Sequence, residues 1–207
     1  MAVKAPAVMA RLILLIARRL NYGISIDGAF CGGGVQYSSL VPTLSANSQN
    51  GYVVSASSRY SNDGNGQVYN AFDGNLKIKN WSDHNGGTQY VFVSKNSGAG
   101  NGYFQIQFPS ATEVNGALVI GPGYKQAGVA NGALYGISYS DDGSTFTFVS
   151  MNTGLTVNGE SGEERTLKEY LALLSGYKKK HLGSHKYWRV HLGMTEEFIG
   201  VNQIILF

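Results

Sequence analysis

The sequence predicts an all-β protein, an antiparallel β-sandwich or jelly roll with one short helix near 161–175. Three observations carry that prediction. Glycine stands at 28 of 207 residues, about twice its usual share. The chain also holds 13 Tyr and 9 Phe, interleaved with short β-branched runs. About eight such runs are separated by connections short enough for antiparallel pairing. A chain of 207 residues is long enough for one well-buried core plus an extension.

The elements follow in order. Residues 12–17, "LILLIA", form an apolar core between Arg11 and Arg18–Arg19. The run falls short of the roughly 20 residues that span a bilayer. Two arginines stand where a signal peptide needs a small-residue cleavage site. The segment is therefore read as part of the folded protein, made without a secretion signal. With "YGISIDGAF" it fits a buried hairpin, and a short helix across 7–20 fits equally. Cys31 is alone, which excludes an internal disulfide and suits a small buried hydrophobe. "CGGGVQYSSLVPTLSANSQNG" reads as a flexible crossing punctuated by Pro42 and Asn50-Gly51. The organisation expected is an extension over 1–50 and a sandwich over 51–207.

From Tyr52 the pattern is regular. "YVVSASS" is a strand, and "QYVFVS" (89–94) alternates. In "GYFQIQF" (102–108), Tyr103, Gln105 and Gln107 face away from Phe104, Ile106 and Phe108. "NGALVIG" is another strand. "LYGISYSDDGSTFTFVS" is a hairpin turned at Asp142-Gly143. "YWRVHLG" and "GVNQIILF" close the chain as two more. In "SGEERTLKEYLALLSG", Ser161 and Glu164 have capping-box spacing. Leu167, Tyr170, Leu171 and Leu174 recur at helical intervals, and Gly176 suits a helix C-terminus. Lys178–Lys180 in "YKKKHLGSHK" read as a solvated loop at that helix end, and as a patch for an anionic surface in the weakest functional reading. A formal charge of +3 without a clustered basic face argues against a nucleic-acid partner.

With these elements in order, the chain from about Val53 to Phe207 resembles the discoidin family, the coagulation factor 5/8 C-terminal or galactose-binding-like domains. "VVSASSRYS", "VYNAFDGN" with Trp81 shortly after, and "GYFQIQFPSATEVNGALVI" carry the resemblance. "YGISYSDDGSTFTFVS" and the closing "YWRVHLG…GVNQIILF" complete it. The resemblance implies that "ARLILLIARRL" is either the opening strand of the same sandwich or an arm docking on another subunit.

The resemblance also gives the Asp73-Gly74-Asn75 turn two readings. It closes one end of the sandwich with Trp81 packed beneath, or it also holds a structural calcium through Asp73 and Asn75. Hard oxygen ligands suit calcium. However, Lys79 stands where calcium-holding relatives commonly have Thr, and Gln203 where they commonly have Glu. A sugar site needs an exposed aromatic beside polar groups. The family places such residues in loops at one sandwich end, which here gives Arg59, Tyr60, Asn62, Asp63, His84, Asn85, Tyr124 and Lys125. The loops lack the exposed Trp or Leu spikes of lipid-inserting relatives, since Trp81 and Trp188 occupy fold-defining positions.

No His/Cys/Asp cluster has metal-ligand spacing, and "CGGGV" lacks the Lys-Ser/Thr of a phosphate loop. Turn geometry accounts for Asp141–Asp142, and the helix start for Glu163–Glu164. The expectation is a non-catalytic structural or adhesion module without a resident cofactor. Its first reading is a bacteriophage virion component, in capsid decoration or tail, assembled in the host cytoplasm as a homo-oligomer or beside other virion proteins. The alternative is a free, extracellular carbohydrate-binding module or lectin with a surface glycan as partner. Neither reading includes a membrane span.

Overall fold

The computed structural model describes residues 24–26, 29–31, 37–58, 67–78, 92–95, 102–121, 129–131, 133–149, 154–158, 162–178, 180–193 and 198–207. The chain divides into two compact units, Met1–Tyr37 and Ser38–Phe207. In the first, β1 (Ile24–Ile26) and β2 (Ala29–Cys31) pair antiparallel, with Ile24 opposite Cys31. Asp27-Gly28 lies between them in sequence, a dipeptide that favours two-residue hairpins. The apolar run at 11–17 lies outside the described residues.

The second unit carries β3 (Ser48–Gln49), β4 (Tyr52–Ala56), β5 (Phe92–Lys95), β6 (Gly102–Glu113), β7 (Ala117–Gly121) and β8 (Val129–Asn131). It continues with β9 (Ala133–Ser140), β10 (Thr147–Val149), β11 (Gly154–Asn158), helix α1 (Leu167–Ala172), β12 (Ser184–Gly193), β13 (Phe198–Val201) and β14 (Gln203–Leu206). The largest sheet has six strands in the order β10-β9-β12-β6-β4-β3, and every neighbouring pair in it is antiparallel. A second sheet, β11-β7-β14, and a third, β5-β13-β8, have three strands each. In these, β11 runs parallel to β7 and β13 parallel to β8.

The predicted sandwich is what the chain forms. Phe104, Ile106 and Phe108 of β6 and Trp188, Val190 and Leu192 of β12 share one buried cluster with Val119 of β7 and Ile204 and Leu206 of β14. Burying each large apolar side chain in such a layer contributes about 1.5–3 kcal/mol. Trp188 is fully buried, and its indole N–H donates to Thr112 O at 3.1 Å and His185 O at 3.0 Å. The ring therefore adds its apolar area without stranding its polar atom.

Several sequence expectations are refined. Asn50 (φ 51°) and Gly51 (φ 82°) form the two-residue link between β3 and β4, as a primed hairpin turn requires. Residues 38–47 are not a loose crossing. Val41 and Leu44 are core, Leu40 N–H donates to Leu206 O, and Leu44 N–H donates to Phe72 O.

"GVNQIILF" is not one strand but parts of two. β13 belongs to the third sheet and β14 to the second, with Asn202 at the corner donating its N–H to Ile120 O. The helix starts at a capping box formed by Thr166 and Glu169, not by Ser161 and Glu164. The preceding segment is taken by pairing with 77–78 instead, where Ile78 N–H donates to Glu163 O and Gly162 N–H donates to Ile78 O. Glu163 also receives Arg165 Nε–H at 2.6 Å. The helix start thus explains neither Glu163 nor Glu164. Tyr170 and Leu174 are buried as their spacing predicts, and Gly176 takes the left-handed conformation (φ 90°) just past the helix.

Candidate functional site on the outer face of the large sheet

Alternation divides the six-stranded sheet. Gln105 and Gln107 with Tyr103 on β6, and Tyr187, Arg189 and His191 on β12, project away from the core. β9 departs from alternation. Its register against β12 slips between His191, opposite Gly136, and Leu192, opposite Leu134. Leu134 and Tyr139 pack on the core with Ile137, so the irregularity falls at Tyr135–Gly136. This bulge turns Tyr135 outward, a local re-aiming that bulges commonly provide.

The outward residues make a continuous strip. Tyr135 and Phe148 are 40% and 46% exposed, with ring centroids 5.7 Å apart. Phe148 meets the His191 ring edge-on at 5.3 Å, and His191 lies 5.9 Å from Tyr103. Gly136 forms the floor: a Cβ there would lie 2.7 Å from Phe148 Cζ, so only glycine lets the ring settle where it does. Arg189 completes the strip. Its Cζ lies 3.5 Å from the Phe146 ring centroid and 4.2 Å from that of Tyr103, and its Nε–H donates to Gln105 Oε1 at 2.9 Å.

The electrostatics of the strip are simple. Among the described residues Arg165 pairs with Glu163, His181 Nδ1 is hydrogen-bonded to Glu113 and His185 Nδ1 to Asp141, and none of these carboxylates reaches Arg189. Burial, and then the charge of Arg189, pushes the pKa of His191 down to about 4. The ring is therefore neutral at pH 7 and shares a 2.8 Å hydrogen bond with Ser138 Oγ. Arg189 is the only fixed charge among these strip residues. Four exposed large apolar side chains occur among the described residues, and three of them (Val53, Tyr135 and Phe148) lie on this face.

The sequence-predicted sugar contacts Arg59, Tyr60, Asn62, Asp63, His84, Asn85, Tyr124 and Lys125 lie outside the described residues, as does Trp81. One anchor near them is described. Ser57 N–H donates to Tyr103 O at 2.9 Å, and Ser57 Oγ accepts from Tyr103 N–H at 3.0 Å. These two bonds tie Ser57, just past β4, to Tyr103 of the strip.

Asp73 and Asn75 are described, and local bonding accounts for them. Asp73 Oδ1 accepts from Asn75 N–H at 2.8 Å, and Asn75 Oδ1 accepts from Lys77 N–H at 3.2 Å. Gly74 has φ 72°, and its missing Cβ would fall 2.6 Å from Thr43 Oγ1. Asn202 Nδ2–H donates to Asn75 O at 3.1 Å, tying the turn to the last strands. Asp73 is the one carboxylate within this turn, its oxygen serves an Asx turn, and the last strand offers only the neutral amide of Gln203. That donor set fits an architectural corner better than calcium.

Other polar groups are likewise engaged. Asp142 Oδ1 accepts from Ser144 and Thr145 N–H and from Ser140 Oγ–H, each at 2.8 Å, which holds its carboxyl far below the usual range. His185 stacks on Tyr139 with centroids 3.9 Å apart. A cleft of about 500 Å³ lined by Gly74, Glu164 and Glu169 is open, and Glu169 there is spent on the Thr166 cap. No group of three His, Cys, Asp or Glu gathers at metal-binding distance among the described residues. No helix among them is long and apolar enough to cross a membrane.

No family model and no curated protein matches the chain. Solved structures do. The Clostridium perfringens module CpGH89CBM32-5, in complex with GalNAc-β-1,3-galactose, is 17% identical with a TM-score of 0.47, over 76% of this chain and 95% of that one. An F5/8 type C domain from Bacteroides fragilis is 14% identical with a TM-score of 0.48, over 75% and 89%. A fucolectin from striped bass serum is 17% identical with a TM-score of 0.47, over 75% of this chain and 46% of that one. These identities are too low to carry any binding residue across.

Proposed function

We propose that the chain is a non-catalytic carbohydrate-binding module of the discoidin, galactose-binding-like type. The observation that carries this reading is the exposed ledge of Tyr135 and Phe148 beside the polar edge of His191, Gln105 and Arg189. Flat aromatic surface bordered by a few fixed hydrogen-bonding groups is the chemistry that selects a pyranose from water. The loop set Arg59, Tyr60, Asn62, Asp63, His84, Asn85, Tyr124 and Lys125 remains proposed as glycan contacts on the discoidin resemblance. The particle-component reading keeps only its sequence argument, and the ledge favours the free module.

The test is a glycan array probed with the full chain, followed by titration calorimetry on the glycans retained. Micromolar-to-millimolar binding that weakens on Phe148→Ala or Tyr135→Ala is the expected result. A monomeric, folded chain that retains no glycan overturns the proposal.

A further inference from the structure

We infer that the sugar held on this strip carries a carboxylate, as a uronic acid does, and that Arg189 receives it. The inference rests on the glycan-binding reading above and names the ligand class of the same site.

The argument starts from what the guanidinium has and lacks. Phe146 and Tyr103 cover Arg189 at 3.5 and 4.2 Å from ring centroid to Cζ. Such stacking holds the planar fork still and leaves only its rim of N–H groups for bonding. One of the five N–H groups goes to Gln105 Oε1. No carboxylate among the described residues pairs with the others. A half-buried cation with a fixed orientation and unanswered donors matches one planar anion, which it can bind through two parallel bonds.

The surroundings narrow the anion to one borne on a sugar ring. Tyr103 links Arg189 to His191 and Phe148, so the charge stands at one end of an aromatic ledge. A ring stacked on Phe148 and Tyr135 brings a substituent carboxylate toward the fork. His191, neutral and bound to Ser138, borders the ledge without adding charge. Among the described residues of the ledge, the charge that selects a carboxylate is that of Arg189. A hydrogen bond to a charged group is stronger than a neutral one, so the carboxylate is expected to raise affinity by about tenfold or more.

The experiment compares a glucuronic-acid disaccharide with its methyl ester, which keeps the ring and removes the charge. Both are titrated into the full chain by calorimetry and by NMR. The acid is expected to bind about tenfold tighter than the ester at low salt. Arg189→Gln is expected to bring the acid-to-ester ratio close to one, and Arg189→Lys, which keeps charge but not the fork, to leave it intermediate. Circular dichroism of each variant confirms that it folds.

Equal binding of acid and ester to the unmodified chain overturns the carboxylate inference and leaves the glycan reading standing. So does a ratio that survives Arg189→Gln. Binding of neither sugar, with an empty glycan array, overturns both. So does a dimer that Phe148→Ala dissolves and glucuronate fails to compete, since a second copy would then occupy the strip.

Discussion

Strand β12 has two faces with different chemistries. Trp188, Val190 and Leu192 point inward at 1% exposure or less, beside the buried Phe104 and Ile106. The indole N–H, their one polar donor, is answered by two carbonyls. Between them in sequence, Tyr187, Arg189 and His191 point outward and stay half-buried, with guanidinium donors unanswered. One face is closed by shape and apolar area. The other is held rigid by ring stacking while its hydrogen-bonding capacity is kept open. Period-two alternation lets neighbouring residues serve these separate ends, so changes on one face should read out in stability and changes on the other in binding.

The largest effect that sharpens the contrast is expected at Trp188. Trp188→Ala empties the centre of the inner layer and is expected to cost about 3–5 kcal/mol in urea unfolding. Trp188→Phe keeps most of the apolar contact but strands Thr112 O and His185 O, for about 1 kcal/mol. An alanine variant that loses less than the phenylalanine variant would break the assignment of this face as the core.

The next effect lies on the outer face and depends on pH. His191 sits near pKa 4 when folded and near 6.5 when unfolded. Above pH 6.5 it is neutral in both states. As pH falls toward 4 the unfolded chain takes up a proton that the folded chain refuses, so stability falls through that window and levels below it. The ring is partly solvated, so screening reduces the loss to about 1–2 kcal/mol. Chemical denaturation at pH 7 and pH 4.5 should show His191→Gln losing less than the parent chain. An identical loss in both would remove His191 from the account.

Much of this contrast was legible in sequence on one strand and hidden on the next. In β6, Tyr103, Gln105 and Gln107 alternate strictly with Phe104, Ile106 and Phe108, and the structure keeps that order. In β9 the same rule puts Tyr135 inside with Ile137 and Tyr139, and the bulge puts it outside. A bulge is decided by the pairing partner, whose register no local pattern records. The helix start slipped because Ser161–Glu164 and Thr166–Glu169 present the same spacing. Pairing of Gly162 and Glu163 with Ile78 decided between them. The break at Asn202 was hidden because polar Asn202 and Gln203 are buried along with their apolar neighbours, so burial is continuous over 200–207 while the strand changes sheet. For the site, the family resemblance points to exposed loop residues, whereas the described ledge rests on strands and on a glycine whose role only the Phe148 ring reveals.

That glycine offers a smaller perturbation. Gly136→Ala places a Cβ 2.7 Å from Phe148 Cζ and 3.0 Å from Val149 O. The ring is free to swing toward solvent, so the expected stability loss is about 1 kcal/mol. Sugar affinity should fall with it, because the ledge is no longer flat. Unchanged binding in a folded Gly136→Ala chain would show that the ring's position on the sheet does not matter to the ligand.

The smallest expected stability change belongs to Phe148→Ala, and it is the strictest test of the two-face reading. Phe148 is 46% exposed and lies on β10, a three-residue strand at the sheet edge. Removing a side chain so placed should move stability by no more than about 0.5 kcal/mol. It also removes the ring that spans Tyr135 and His191, so glycan affinity should fall about tenfold or more for the acid and the ester alike. Arg189→Gln, in contrast, should act chiefly on the difference between them. A loss above about 2 kcal/mol on Phe148→Ala would instead mark the strip as a second packed layer. Its rings would then be structural, and the open donors of Arg189 would be their by-product.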